Sequence, residues 1–301
     1  MDYRNRLEEF KSTKDYLVCI DSDGCAFDTM GIKQRECFCP WMISCFGLQP
    51  VAQAARECKE FADLYSKTRG ANRHVTIKRI LTELLPGHPQ TKGFGFQVPQ
   101  FPHYFAWVDD TQSVLSNDGL KHAIAGARDA KAQAELEHVL AWAERVNWAV
   151  KEIVKGIPPF PYVRESLEQM KEKADMVVVS ATPLEALERE WAEHGIARYI
   201  GLICGQEMGT KREQIAAVGP HYKEGHVLMI GDAPGDMRAA KANGALFYPI
   251  ILGDEIAVWR LFCEEGIERF LSGTYAGEYE KMSIERFERA LPKRPPWEVN
   301  E

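Results

Sequence analysis

Short, unbroken apolar runs recur in the chain and stop abruptly at polar residues. YLVCI (16–20), MVVVS (176–180), YIGLIC (199–204) and HVLMI (226–230) are four of them, and ALFYPII (245–251) is a fifth. Runs this short, rich in β-branched residues and without alternation, predict strands buried on both faces, as in a parallel sheet. Between them the pattern changes to helical: YVRESLEQMKEKA precedes the second run, PLEALEREWAEHG follows it, and KREQIAAVGPHY precedes the fourth. DMRAAKANG follows the fourth run and stops at Gly244, a residue suited to ending a helix. Strand alternating with helix predicts an α/β fold, a Rossmann-like parallel sheet core with helices on both faces.

The first and second runs lie much further apart than one crossover connection requires. The intervening sequence is largely helical by pattern. In KAQAELEHVLAWAERVNWAVKEIVK, residues Leu136, Val139, Leu140, Ala143, Val146, Val150 and Ile153 recur at steps of three and four. GIPPFP (156–161) breaks that helix and leads back toward the sheet. The expected organisation is therefore an α/β core from 1–30 and 157–301, with a mainly helical cap domain, 31–156, inserted after the first strand. One segment of the insert, GFGFQVPQFPHYFAWVDD (93–110), is aromatic and has no period. Its readings are a loop packed on the insert, a lid, or a dimer contact, with packing preferred.

Charge and composition narrow the classes. A net charge of -7 speaks against a nucleic-acid partner, which requires a basic stripe, yet leaves room for a small phosphorylated metabolite in one positive pocket. No apolar run approaches the ~20 residues of a membrane span. The opening MDYRNRLEEFKSTKDY is charged and lacks the apolar core of a signal peptide, so a cytoplasmic protein without membrane association is expected, as monomer or homodimer. Six of the eight cysteines fall within the first 58 residues. The C-x-C spacing of CFCPWMISC has no second pair to complete a zinc site, and free, packed thiols are expected in a reducing compartment.

What ends the runs is chemically informative, because ligands of open α/β sheets bind at the carboxyl ends of the strands. The first run delivers Asp21 and Asp23, the second Ser180, and the fourth Gly231 and Asp232 with Asp236 one helical turn on. Lys211 begins the helix leading into the fourth run. Carboxylates brought together repel one another unless a countercharge is present. A hard divalent cation supplies it, and Mg²⁺ keeps room in its shell for waters and a phosphate oxygen. A lysine and a serine hydroxyl suit the remaining phosphoryl oxygens, which completes the requirements of phosphoryl transfer.

DSDGCAFDT, VVVSATP, GTKREQI and MIGDAPGDMRAAKANGA, in that order, resemble the four motifs of the haloacid dehalogenase-like (HAD) superfamily. The resemblance covers residues 16–30 and roughly 157–250, and a cap placed after the first motif is typical of one class of that superfamily. It implies that Asp21 is the nucleophile and forms an aspartyl-phosphate. Asp23 would protonate the leaving oxygen and then deprotonate water, its backbone carbonyl also binding the metal. Asp232 would coordinate Mg²⁺, Asp236 would assist through water or by holding Lys211, and Ser180 and Lys211 would hold the phosphoryl group. The acid at position 23 favours phosphate esters over the dehalogenase and phosphonate-cleaving subclasses. Two departures stand out: Cys25 replaces the usual threonine, and the lysine motif lacks its usual prolines, leaving Arg212 as an alternative to Lys211.

In the insert, SKTRGANRHVTIKRIL (66–81) is similar to the specificity loop of β-phosphoglucomutase-type caps, which implies that Arg69, Arg73 and His74 line the substrate. The function expected is a Mg²⁺-dependent phosphatase for a small phosphomonoester, either a sugar phosphate or a phosphoglycolate-like acid. A phosphosugar mutase with the same motifs and a non-catalytic phosphometabolite-binding protein are the alternatives.

Overall fold

The computed structural model describes residues 4–298. They form two compact units, one from the N-terminus to Met30 and from Gly156 to Leu291, the other from Gly31 to Lys155 and from Pro292 onward.

The first unit is built on a five-stranded sheet in the order β3-β2-β1-β4-β5. The strands are β1 (Tyr16–Ile20), β2 (Ala174–Val179), β3 (Leu202–Cys204), β4 (Val227–Gly231) and β5 (Leu246–Pro249), and every pairing is parallel. β1 lies at the centre, which is why Leu17, Val18, Cys19 and Ile20 are all fully buried and show no alternation. Register decides where the chemistry falls. Ile20 pairs with Val178 on one side and Ile230 on the other, so the residues that follow all three strands emerge at one edge.

Helices Val163–Met170, Leu184–Glu193, Lys211–Val218 and Pro234–Ala242 occur where the pattern predicts them. Each contributes an apolar stripe to the core, such as Val163, Leu167 and Met170 or Leu184, Leu187 and Trp191. Beyond β5, further helices at Glu255–Leu261 and Glu278–Ala290 add Trp259 and Phe287 to the same core.

The second unit is helical. Its longest helix, Ala130–Ile153, turns Leu136, Val139, Trp142, Ala143, Val146 and Ala149 inward. The buried stripe differs from the expected one: Leu140 and Val150 are half-buried and Ile153, at the C-terminal end, is exposed. Trp142 takes the central place instead, with edge-on contacts to Phe38, Phe46 and His74. The aperiodic aromatic segment contains a helix, Pro102–Asp109, whose Tyr104 and Trp107 are buried; its Phe94, by contrast, is exposed.

Residues 292–298, expected in the α/β core, group with the helical unit. Packing explains this, because Trp297 meets Phe61 edge-on and His88 at a tilt, and the carbonyl of Lys293 accepts from Arg79. All eight cysteines are free thiols, six of them buried. Among the described residues, no helix is long and apolar enough to cross a membrane.

Candidate active site

The end of β1 is a tight turn built around Ser22. The amide of Asp21 still belongs to the sheet, donating to the carbonyl of Ile230 at 3.0 Å. The carbonyl of Ser22 then accepts from the amides of Cys25, Ala26 and Phe27, and Gly24 takes φ +79°, where a side chain would be strained. Ser22 Oγ donates to Glu190 Oε2 at 2.9 Å and accepts from Trp191 Nε1 at 3.0 Å, which ties the residue between the two aspartates to the Leu184–Glu193 helix. Asp23 Oδ2 accepts from Thr182 Oγ1 at 2.6 Å and Oδ1 accepts from Thr29 Oγ1.

Cys25 is buried, and burial, followed by the carboxylates of Asp21, Asp232 and Asp236, pushes its thiol well up. It therefore remains a donor and points at the carbonyl of Ile230 across 3.6 Å, the weak hydrogen bond expected of sulfur. The turn has a second brace from far along the chain, since Trp259 Nε1 donates to the carbonyl of Cys25 at 2.8 Å.

Lys211 is the first residue of its helix, which Thr210 and Glu213 cap reciprocally. Its Nζ lies 2.8 Å from Asp21 Oδ1 and 2.6 Å from Asp236 Oδ1. Asp236 Oδ2 in turn accepts from the amides of Asp232 at 3.1 Å and Ala233 at 3.0 Å. Both oxygens of Asp236 are thus engaged, one in fixing the ammonium and the other in fixing the end of β4. A Cβ on Gly231 would come within 2.4 Å of the Asp236 side chain, so only glycine fits at the end of that strand. Arg212 is exposed, which leaves Lys211 as the cation of this cluster.

Asp21, Asp232 and Asp236 are buried, and one oxygen from each lies within 4.8 Å of the others. Burial pushes the Asp21 carboxyl well above its ordinary range; Lys211 opposes this and the neighbouring acids reinforce it. Asp236 is raised for the same leading reason, again opposed by Lys211. Burial alone would lower Lys211, but Asp21 and Asp236 outweigh it and hold the amine charged.

Three carboxylates against one ammonium leave a formal deficit of two positive charges. A donor set of buried carboxylate oxygens suits a hard divalent ion, and such an ion would remove that deficit. Asp21 and Asp232 are the side chains suited to hold it, given that Asp236 already serves Lys211 and two backbone amides.

Ser180 is buried at the end of β2, its amide donating to the carbonyl of Cys204 and its Oγ accepting from the amide of Thr182 at 3.1 Å. The hydroxyl of Thr182 reaches Asp23, so VVVSATP supplies two residues to this edge of the sheet. The sequence pattern does not single out Thr182, Thr29, Ser22 or Trp259 for the site.

The three residues expected to line the substrate from the insert behave differently. Arg69 is buried and donates to the carbonyl of Leu64 at 3.2 Å, beside Gly70 at φ +72°. His74 is buried against Trp107, Trp142 and Tyr104, whose hydroxyl lies 3.1 Å from its Nδ1. Burial, aided by the charge of Arg73, lowers the His74 imidazole to about 3, so it is neutral. His74 finds its polar partner, Tyr104, inside the helical unit, and Arg69 makes one of its hydrogen bonds there, to Leu64. Arg73 is half-buried, with its guanidinium over the Phe38 ring at 4.7 Å and Nη1 donating to Asn147 Oδ1 at 2.8 Å.

Residues 108–249 match the family model for haloacid dehalogenase-like hydrolases, a range that takes in Ser180, Lys211, Asp232 and Asp236 and begins after Asp21 and Asp23. No curated protein sequence matches the chain. Among solved structures, the chain is similar to a haloacid dehalogenase-like family hydrolase from Streptococcus pneumoniae, with 13% identity, 83% of this chain and 92% of that one covered, and a TM-score of 0.42. A HAD-superfamily hydrolase of subfamily IA from Geobacter sulfurreducens shows 13% identity, 79% and 89% coverage and a TM-score of 0.36. A protein described as a predicted phosphoglycolate phosphatase from Haemophilus somnus shows 14% identity, 79% and 86% coverage and a TM-score of 0.42. The family match takes in β2 to β5 of the parallel sheet whose strands end in this acidic edge, so this part of the chain is similar to haloacid dehalogenase-like hydrolases.

Proposed function

We propose that the chain is a Mg²⁺-dependent phosphatase that hydrolyses a small phosphomonoester, a sugar phosphate or a phosphoglycolate-like acid, through an aspartyl-phosphate. The observation that carries this reading is the ammonium of Lys211 held at 2.8 Å from Asp21 Oδ1 inside a buried carboxylate cluster. A carboxylate placed beside a fixed positive charge is suited to attack a phosphoryl group, whose own negative charge the same ammonium offsets.

In the first step an oxygen of Asp21 attacks phosphorus and the bond from phosphorus to the ester oxygen breaks. Asp23, as the acid, gives its proton to that leaving oxygen. In the second step Asp23, now a carboxylate, takes a proton from water as the water attacks the aspartyl-phosphate. The bond between phosphorus and the Asp21 oxygen breaks, which regenerates the carboxylate and frees inorganic phosphate. A positioned acid/base of this kind contributes about 10²–10⁴ in rate. Thr29 and Thr182 hold Asp23 in place for both transfers. Lys211 and Ser180 bind the phosphoryl oxygens. Mg²⁺, held by Asp21, Asp232 and the carbonyl of Asp23, supplies charge neutralisation between the acids and the phosphate.

The helical unit is proposed as the cap that selects the substrate. Of its three expected contacts, Arg73 is the one that is not fully buried.

Purified protein with p-nitrophenyl phosphate and Mg²⁺ tests the reading directly. Phosphate release that EDTA stops and Asp21→Asn abolishes supports it. No release with any divalent metal would favour a binding protein, and full turnover by Asp21→Asn would remove the nucleophile assignment.

A further inference from the structure

Gln214 is fully buried on the first turn of the Lys211–Val218 helix and plays no part in the chemistry above. Its Nε2 lies 3.2 Å from the carbonyl of Ser180, 2.9 Å from that of Gly205 and 3.0 Å from that of Gly209. Three carbonyl oxygens around one end of the amide identify that end as NH₂, since the amide oxygen there would meet only acceptors.

The three carbonyls belong to three separate pieces of the site's frame. Ser180 follows β2 and Gly205 follows β3. Gly209, at φ +95°, precedes the capped turn that launches Lys211. Space around them is tight, since a Cβ on Gly205 would sit 2.6 Å from the amide nitrogen of Leu184. The amide of Gln206 also donates to the carbonyl of Thr182, so the same loops carry the residue that holds Asp23.

We propose that Gln214 is a positioning residue for the reaction: it clamps the ends of β2 and β3 to the Lys211 turn, and so sets Lys211 against Asp21 in register with Ser180. The proposal rests on the phosphatase reading above for its catalytic consequence. Its geometric content, the placement of Lys211 Nζ between Asp21 and Asp236, stands apart from any activity. Without the amide, three carbonyls lose their shared donor and the Lys211 turn is free to shift. A displacement near 1 Å at a reacting group costs about 10²-fold in rate.

The test is Gln214→Met, similar in length and apolar, compared with wild type by thermal melting, steady-state kinetics on p-nitrophenyl phosphate and a crystal structure. The expected result is a folded protein in which kcat falls about 10-fold to 100-fold with a much smaller change in KM. Lys211 Nζ is then expected to have left hydrogen-bond distance of Asp21. A folded variant with unchanged kcat overturns the proposal while the phosphatase reading stands. If wild type releases no phosphate, that reading fails, and the structure alone judges the clamp: Lys211 still within reach of both aspartates overturns it, and its displacement supports it. Should the methionine variant not fold, Gln214→Glu replaces it. An ionised carboxylate faces the three carbonyls unfavourably, whereas a protonated one can donate. Its activity relative to wild type is expected to rise as pH falls, and a constant ratio overturns the proposal.

Discussion

Thr182 Oγ1 and Asp23 Oδ2 lie 2.6 Å apart, although they stand 159 residues apart in the chain. One follows β2 and the other follows β1, and the parallel register of those strands brings them to one edge. A hydroxyl that donates to a carboxylate contributes about 1.5–3 kcal/mol and fixes where that group points. Thr182→Val keeps the shape and removes the donor. It is expected to lower kcat on p-nitrophenyl phosphate about tenfold or more and the melting temperature by several degrees, and Thr182→Ser is expected to recover most of both losses. Equal rates for Val and wild type would show that Asp23 does not depend on this bond.

The two later acids are expected to separate in a metal titration. Asp232 is placed to hold the cation, whereas both oxygens of Asp236 are occupied by Lys211 and by the amides of Asp232 and Ala233. Asp232→Asn is therefore expected to raise the Mg²⁺ concentration for half-maximal activity by about 10-fold or more. Asp236→Asn is expected to lower kcat with a smaller change in that concentration, because its first effect is on Lys211. The opposite ranking would exchange the two roles.

Much of this edge could be read in the sequence because each contribution is local to one strand end. An apolar run followed by Asp21, or by Gly231 and Asp232, states both the strand and what its carboxyl end carries. Ser22, Thr29, Gln214 and Trp259 give no such signal. Their parts depend on partners brought together by the fold, as with Trp259 and the carbonyl of Cys25, 234 positions apart. The insert was less legible for a related reason. A loop containing Arg69, Arg73 and His74 has the composition of a polar contact surface, yet Tyr104 and the surrounding aromatic rings take up His74 inside the unit. The long helix shows the same limit. A three-and-four step pattern includes Ile153, but the helix runs past its partners there and leaves that side chain exposed.

The interior position of His74 has a consequence for acid stability. Burial, with Arg73 second, lowers its imidazole to about 3 from an unfolded value near 6.5. Below about 6.5 the unfolded chain therefore takes up a proton that the folded helical unit refuses until about 3. The stabilisation tied to a neutral His74 is fully present above that window and is lost progressively as pH falls through it. Urea midpoints at pH 7.5 and pH 5 should differ more for wild type than for His74→Gln, which has no proton to gain. Parallel shifts in the two proteins would assign the acid sensitivity to other groups.

A buried ion pair in the same unit offers a sharper stability test. The side chains of Lys59 and Asp63 are 1% and 4% exposed and form a salt bridge one helical turn apart. Lys59 Nζ also donates to Gln34 Oε1 at 2.9 Å and lies 5.0 Å from the centre of the Phe38 ring. Removing either partner of such a pair strands the other as an uncompensated charge, which costs about 3–5 kcal/mol. Asp63→Leu is expected to lose that much in urea unfolding, a large share of the stability of an ordinary domain. Replacing both partners removes the stranded charge as well, so Lys59→Met combined with Asp63→Leu is expected to recover most of it. If the double variant is as unstable as Asp63→Leu alone, the loss comes from the volume and shape of the leucine. If Asp63→Leu unfolds like wild type, Lys59 has found another way to satisfy or expose its ammonium, and the pair does not set the stability of this unit.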